Sequence, residues 1–300
     1  MEQCENIVKI EGILAETNLE SRPFLRNGVQ QDALGGTITI RVAQKIGDKD
    51  VISDVPIHMF ATALTKKGTP NPAYENIKNI KDNYVSIAAS DEASADKVRI
   101  TQGSIHMNEY YGKTGNLVSF PRIMASFVQR VKEAEEFSPK AEFTCTSVIL
   151  DQKYEQDKEQ NETGRYLLQT AIIQYGDKLD VVPFIVENKK AINYISSNWE
   201  SGNTVRINGK LNFSYKIVKE VKESAFGDPV IDERTVSTSE LIVTGGSEPI
   251  EGQGAYTSEE IRAGLARRMA NLEELKNRAN TKPITAPAPS KTFSMDNLGF

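Results

Sequence analysis

Two neighbouring stretches in the second half of the chain decide the fold. The first is Asn188-Lys189-Lys190-Ala191-Ile192-Asn193-Tyr194-Ile195, which reads as a short helix running to Asn198. The second is Glu200-Ser201-Gly202-Asn203-Thr204-Val205-Arg206-Ile207-Asn208-Gly209-Lys210-Leu211. It turns at Gly202 and then alternates, with Val205, Ile207 and Leu211 on one face and Arg206 and Lys210 on the other. Gly209 interrupts the strand. A glycine there marks a bulge or sharp bend, which a small closed barrel needs at its corners.

Working outward, strands are expected at Ala141–Leu150, Arg165–Tyr175 and Lys178–Val186 before that helix, and at Val205–Val218 and Thr235–Val243 after it. Gln152–Gly164 reads as a polar loop. The first half repeats the order. Ile7–Ala15, Thr37–Lys45 and the Val55, Ile57, Met59 run precede a helix opened by Asn71-Pro72-Ala73, and Val98–Met107 and Asn116–Val131 follow it. Glu133–Glu136 reads as a solvated helix end. Three strands, a helix, then two strands is the element order of the OB-fold, a five-stranded Greek-key barrel. An immunoglobulin-like sandwich would show seven strands and no helix there. The fold class expected is mainly β: two tandem OB-fold barrels, a C-terminal helix and a flexible tail.

The expected domains are residues 1–137 (first barrel), 138–250 (second barrel), 251–280 (helix) and 281–300 (tail). Thr257-Ser258-Glu259-Glu260 is a helix start, and Ile261, Leu265, Met269, Leu272 and Leu275 recur at helical spacing. Thr281–Thr292 is Pro, Ala, Thr and Ser, a composition that packs no core.

The two barrel segments, with the tail, resemble the bacterial single-stranded DNA-binding proteins. In that family a short helix passes through a Lys-Gly turn into a strand reading roughly Val-x-Val-x-Gly-x-Leu. Val205–Leu211 fits that strand, and Val98-Arg99-Ile100-Thr101-Gln102-Gly103-Ser104-Ile105 fits it with one extra residue, consistent with a bulge at Gln102-Gly103. Asn108–Gly115 resembles the family's hairpin between strands four and five. The tail is similar too: a tether, then an apolar tip ending in Phe300. It departs in having only Asp296 before the tip, and Gly299 where the family has proline. Two barrels in one chain also differ from the usual single-barrel subunit and suggest a phage or plasmid form. The resemblance implies sequence-tolerant binding of single-stranded DNA in replication, recombination and repair. It implies recruitment of replication and recombination proteins through Met295, Asp296, Leu298 and Phe300, and a cytoplasmic location. Self-association is a further expectation.

Single-strand grooves combine cations for the backbone with aromatics that stack bases. The candidates in the first barrel are Arg41, Lys45, His58, Phe60, Arg99, Tyr110, Tyr111, Lys113, Phe120 and Arg122. In the second they are Arg206, Lys210, Phe213, Tyr215 and Lys216. Trp199 reads as a packed lid over a barrel end.

The 300 residues hold 36 Lys+Arg against 41 Asp+Glu, net −5, which excludes a uniformly basic duplex coat. Residues 141–250 hold 12 basic against 17 acidic residues, whereas 1–140 hold 17 against 18, so the first barrel is the expected binder. Cys4 and Cys145 build no disulfide framework or cysteine zinc site, and imply a reducing compartment. The histidines, His58 and His106, lie outside any zinc or nucleophile signature. Gly112-Lys113-Thr114-Gly115 lacks the glycine a phosphate loop needs at position 107, which is Met107. The chain is therefore read as a non-enzyme without cofactor, metal or membrane span. The alternatives are a structural or interaction β-protein of a virion or scaffold, or an OB-fold protein that binds RNA.

Overall fold

β-branched residues alternate along most runs of this chain, and the strands they form pair beyond the ends of those runs. The computed structural model describes residues 2–26, 29–112, 114–157, 159–222 and 230–281. In chain order the elements are β1 (Asn6–Ser21), β2 (Phe24–Arg26), β3 (Val29–Gln31), β4 (Ala33–Ile46), β5 (Lys49–Thr62), α1 (Pro72–Asn83), β6 (Lys97–Tyr111), β7 (Leu117–Ala125) and β8 (Gln129–Arg130). They continue with β9 (Lys140–Gln156), β10 (Glu162–Ile173), β11 (Leu179–Val186), α2 (Lys189–Asn198), β12 (Thr204–Lys222), β13 (Val230–Gly246) and α3 (Ser258–Thr281).

The ladders close twice. β1 pairs β4, β4 pairs β5, β5 pairs β7 in parallel, β7 pairs β6, and β6 returns to β1. The second ring runs β9, β10, β11, β13 (in parallel), β12 and back to β9. Each ring thus has the first-second-third-fifth-fourth order expected of an OB-fold. The rings are joined through their first strands, where Asn6–Glu11 of β1 pairs Lys140–Cys145 of β9. With β8 paired beside β6, the described residues make one eleven-stranded sheet.

Inward positions fill the rings with Val8, Ile10, Leu14, Ile38, Ile40, Ile57 and Ile123 in the first, and Val148, Leu168, Phe184, Ile207 and Leu211 in the second. Asn71 caps α1 through Ala73 N–H and Asn188 caps α2 through Lys190 and Ala191 N–H. Each helix buries an apolar pair, Ile77 with Ile80 and Ile192 with Ile195. Trp199 is buried and donates its indole N–H to Ser247 O at 3.2 Å, so it is a packed lid. Gly209 is required by packing: a Cβ there would lie 2.2 Å from Ile242 O and 2.3 Å from the Phe143 ring. Opposite Val8–Ile10 the ladder skips from Ile100 to Gly103, which is the bulge expected at Gln102-Gly103. Cys4 and Cys145 are free and buried.

α3 straps the two rings together. Thr257 and Glu260 form a reciprocal capping box, Thr257 N–H donating to the Glu260 carboxylate at 2.9 Å and Glu260 N–H to the Thr257 hydroxyl at 3.2 Å. Ile261 and Leu265 join the core, Arg268 pairs with Glu109 on β6, and Arg267 reaches Asp177 in the β10–β11 turn at 3.5 Å.

Three expectations change. The loop expected at 152–164 is largely strand instead, because β9 and β10 continue to pair as far as Gln156↔Glu162. β1 runs on to Ser21 rather than ending near Ala15, its far half held by β4. Glu133–Glu136 is a turn rather than a helix end, and Glu135 is drawn onto Arg99 at 2.9 Å. The tail expected to carry Met295, Asp296, Leu298 and Phe300 lies outside the described residues.

Candidate nucleic-acid interface

The outward face of β5, β7 and β6 gathers the aromatic candidates of the first ring. On β5, Ile57 and Met59 point inward, leaving His58 and Phe60 outside. On β7, Pro121, Ile123 and Ala125 are buried, leaving Phe120, Arg122 and Met124 outside. The strands meet in register at Ile57↔Ile123 and His58↔Met124. β6 then sets His106 opposite Arg122, Asn108 opposite Phe120, and Tyr110 opposite Val118. Phe60, Tyr110 and Phe120 are 47%, 44% and 36% exposed, unusual for aromatics on a half-buried sheet. Tyr110 meets Phe120 edge to face, with centroids 6.4 Å apart and planes at 87°.

Phe60 lies across Gly35, its partner on β4. A Cβ on Gly35 would meet the Phe60 ring at 2.9 Å and the Arg22 side chain at 3.5 Å, so Arg22, paired with Glu20 at 2.9 Å, borders the same spot. Arg22 was not foreseen because the strand leading to it extends past its expected end. The signal was present in the Gly35-Gly36 doublet opposite Phe60 and Met59. Met124 is a second addition, apolar and facing out beside His58.

The charges separate the candidates. Arg122 has no carboxylate partner among the described residues, and its Nε is buried without a hydrogen bond. The other strand arginines with described side chains are compensated. Arg41 grips Asp54 with two bonds of 2.9 and 3.1 Å. Arg99 holds Glu11 at 2.8 and 3.2 Å and also reaches Glu135. Arg130 pairs with Asp96, and Arg206 with Glu5 at 2.9 Å. Arg165 lies among Glu155, Glu187 and Glu240. His58 bonds the Thr37 hydroxyl at 3.1 Å; burial holds its pKa below the usual imidazole range, aided by Arg122 and Arg22. His106 bonds Ser104 at 3.0 Å and lies 3.6 Å from Asp180 of the second ring.

The remaining candidates are scattered. Tyr111 is half-buried at the end of β6, and Lys45 is exposed near the β4–β5 turn. Lys210 donates its ammonium to Lys45 O at 2.7 Å, binding ring to ring. Phe213 corrects the sequence reading: it is only 5% exposed and belongs to the second ring's core, with no face left for a base. Arg41, Arg99 and Arg206 each stand paired with a carboxylate, unlike Arg122. Tyr215 is 58% exposed on the β12–β13 arm. Lys216 is described by its backbone alone, and Lys113 lies outside the described residues.

Among the described residues no cluster of His, Cys, Asp and Glu has the make-up of a metal site. No described helix is long and apolar enough to cross a membrane.

The chain is similar in structure to the wild-type single-stranded DNA-binding protein of Thermus aquaticus. That match has a TM-score of 0.50 and 8% identity, covering 86% of this chain and 99% of that one. A deletion variant of the same Thermus aquaticus protein matches at a TM-score of 0.50 and 10% identity, covering 86% and 100%. At these identities the likeness is one of fold, and it bears out the OB-fold architecture. No curated protein matches the chain by sequence. A family model described as YorF matches residues 5–278.

Proposed function

The chain belongs to the YorF family, and we propose that it binds single-stranded DNA, with little sequence preference, on the outer face of its first ring. OB-folds take oligonucleotides on the face of their second and third strands and on the loops after strands one and four. Here that region includes β5, the third strand, which carries Phe60, and the hairpin after the fourth strand, flanked by Tyr110 and Phe120; Arg122 stands on the fifth strand, β7, which pairs with β5. Bases stack on Phe60, Phe120 and Tyr110, a contact every base can make, and the backbone runs over Arg122. One observation carries the reading: Arg122 is a guanidinium without a carboxylate, set between exposed aromatics. A phosphate supplies the missing charge.

The same reading gives the first ring to residues 1–137, the second to 138–250, the helix to 251–280 and the tail to 281–300. It places the protein in the cytoplasm, in DNA replication or recombination. Met295, Asp296, Leu298 and Phe300 recruit other proteins; the tail's sequence alone supports that part. Catalysis has no role in it.

The test is anisotropy of a labelled dT oligonucleotide of about 30 nucleotides, several ring footprints long, at two salt concentrations, with duplex and oligo-U controls. Tight, salt-sensitive binding to dT with weaker duplex binding supports the reading. Preference for oligo-U moves it to RNA, and no binding at low salt removes it.

A further inference from the structure

The second ring has the same strands in the same order, yet its corresponding face is closed. In the first ring the outward pair of the parallel ladder is His58↔Met124, and in the second it is Ile185↔Ile242. Ile185 and Ile242 are buried outside the ring's own core, in a separate cluster with Ile46, flanked by Val51 and Leu167. Ile46 and Val51 belong to the β4–β5 hairpin, which runs past its own ring and lies on the second.

Polar contacts fix the hairpin there. Gln44 donates to Leu211 O at 2.8 Å and accepts from Ala141 N–H at 3.1 Å. The Ser53 hydroxyl reaches the same Leu211 carbonyl at 3.4 Å, and Lys210 bonds Lys45 O. Beside this seat, the one arginine of β10, Arg165, is held by Glu155, Glu187 and Glu240. Where the first ring offers stacking rings and an uncompensated cation, the second offers a covered apolar seat and surplus carboxylate.

We propose that each chain carries one single-strand site and not two, because the first ring's β4–β5 hairpin fills the second ring's equivalent face. The inference rests on the function proposed above. The second ring then acts as the hairpin's seat: it fixes β4 and β5, and so holds Phe60 and His58 in place. Two rings per chain do not double the length of strand covered.

The test is the mass of complexes formed by the full chain with dT of about 15 nucleotides, near the upper footprint of one OB-fold. Native mass spectrometry at saturating oligonucleotide reads the ratio directly. One oligonucleotide per chain is expected, falling to none in Phe60→Ala/Arg122→Ala. Two per chain, or one retained by that double variant, overturns the inference while leaving single-strand binding intact. None with the unaltered chain overturns the function itself, and the inference with it.

Discussion

Tyr110 on β6 and Phe120 on β7 touch edge to face at 6.4 Å while both remain open to solvent. Each ring therefore braces the other and keeps one flank free for a base. Alanine at either position is expected to cost about 1–3 kcal/mol of single-strand affinity, roughly 5- to 150-fold. The double variant should lose less than the sum, since the first substitution already frees the second ring. Anisotropy measures both effects, and thermal melting should scarcely move.

Arg122 and Arg41 stand on neighbouring regions of the same ring but in opposite electrostatic states. Arg122→Ala should lower the slope of log K against log salt by about 0.7, the value of one single-strand phosphate contact. Arg41→Ala should leave that slope unchanged, because Asp54 already holds its charge. A salt titration of both variants checks the contrast.

His58 gives the site a proton linkage. Its pKa is held down by burial first, then by Arg122 and Arg22. A phosphate arriving at Arg122 offsets its repulsion, so binding takes up a proton. Affinity should rise as pH falls below about 6.5, the ordinary imidazole value, and His58→Gln should flatten the dependence. Stability of the free protein has the opposite sign. The unfolded chain takes its proton near ~6.5 while the folded His58 resists, so stability falls with pH there. The loss levels off once the folded His58 also protonates. Binding and melting measured over one pH series test both signs.

Glu11 is buried, yet its carboxyl is held below the usual range, chiefly by the hydrogen bond from Arg99 and further by Ser138 N–H. A depressed carboxylate stabilises the fold above its unfolded pKa, and that contribution is lost as pH falls through the folded value. Arg99→Ala should therefore lower the melting temperature at neutral pH, with a smaller effect in acid. Single-strand affinity should be spared, because Arg99 is occupied by Glu11 and Glu135. A melting series against pH, with one binding titration, checks this.

Gly209→Ala places a methyl within 2.3 Å of both Ile242 O and the Phe143 ring. The second ring has to shift to admit it, at a cost of about 1–3 kcal/mol or more. Denaturant unfolding reads that cost directly.

The rings were legible from β-branched alternation, because Ile38, Ile40, Ile57 and Ile207 alternate with polar neighbours as half-buried strands must. Gly209 and the Gln102-Gly103 bulge marked the corners for the same reason. The pairing of charges was not legible. Arg41 and Arg99 looked like Arg122 in sequence, and their carboxylates come from a cross-strand neighbour and from a residue 88 positions away. Phe213 was misjudged because β12 stays in the ring past Leu211 and keeps that position inside. Nor does periodicity say that the hairpin of one ring lands on the other, since Ile46 and Val51 carry the same alternation wherever they pack.

The most direct measurement is titration of labelled dT, about 30 nucleotides long, with the unaltered chain and with Phe60→Ala/Phe120→Ala, at low salt and matched folding. Removal of two stacking platforms predicts a loss of about 2–6 kcal/mol in affinity, with the melting temperature nearly unchanged. Equal affinity for the two proteins would show that the strand does not lie on this face.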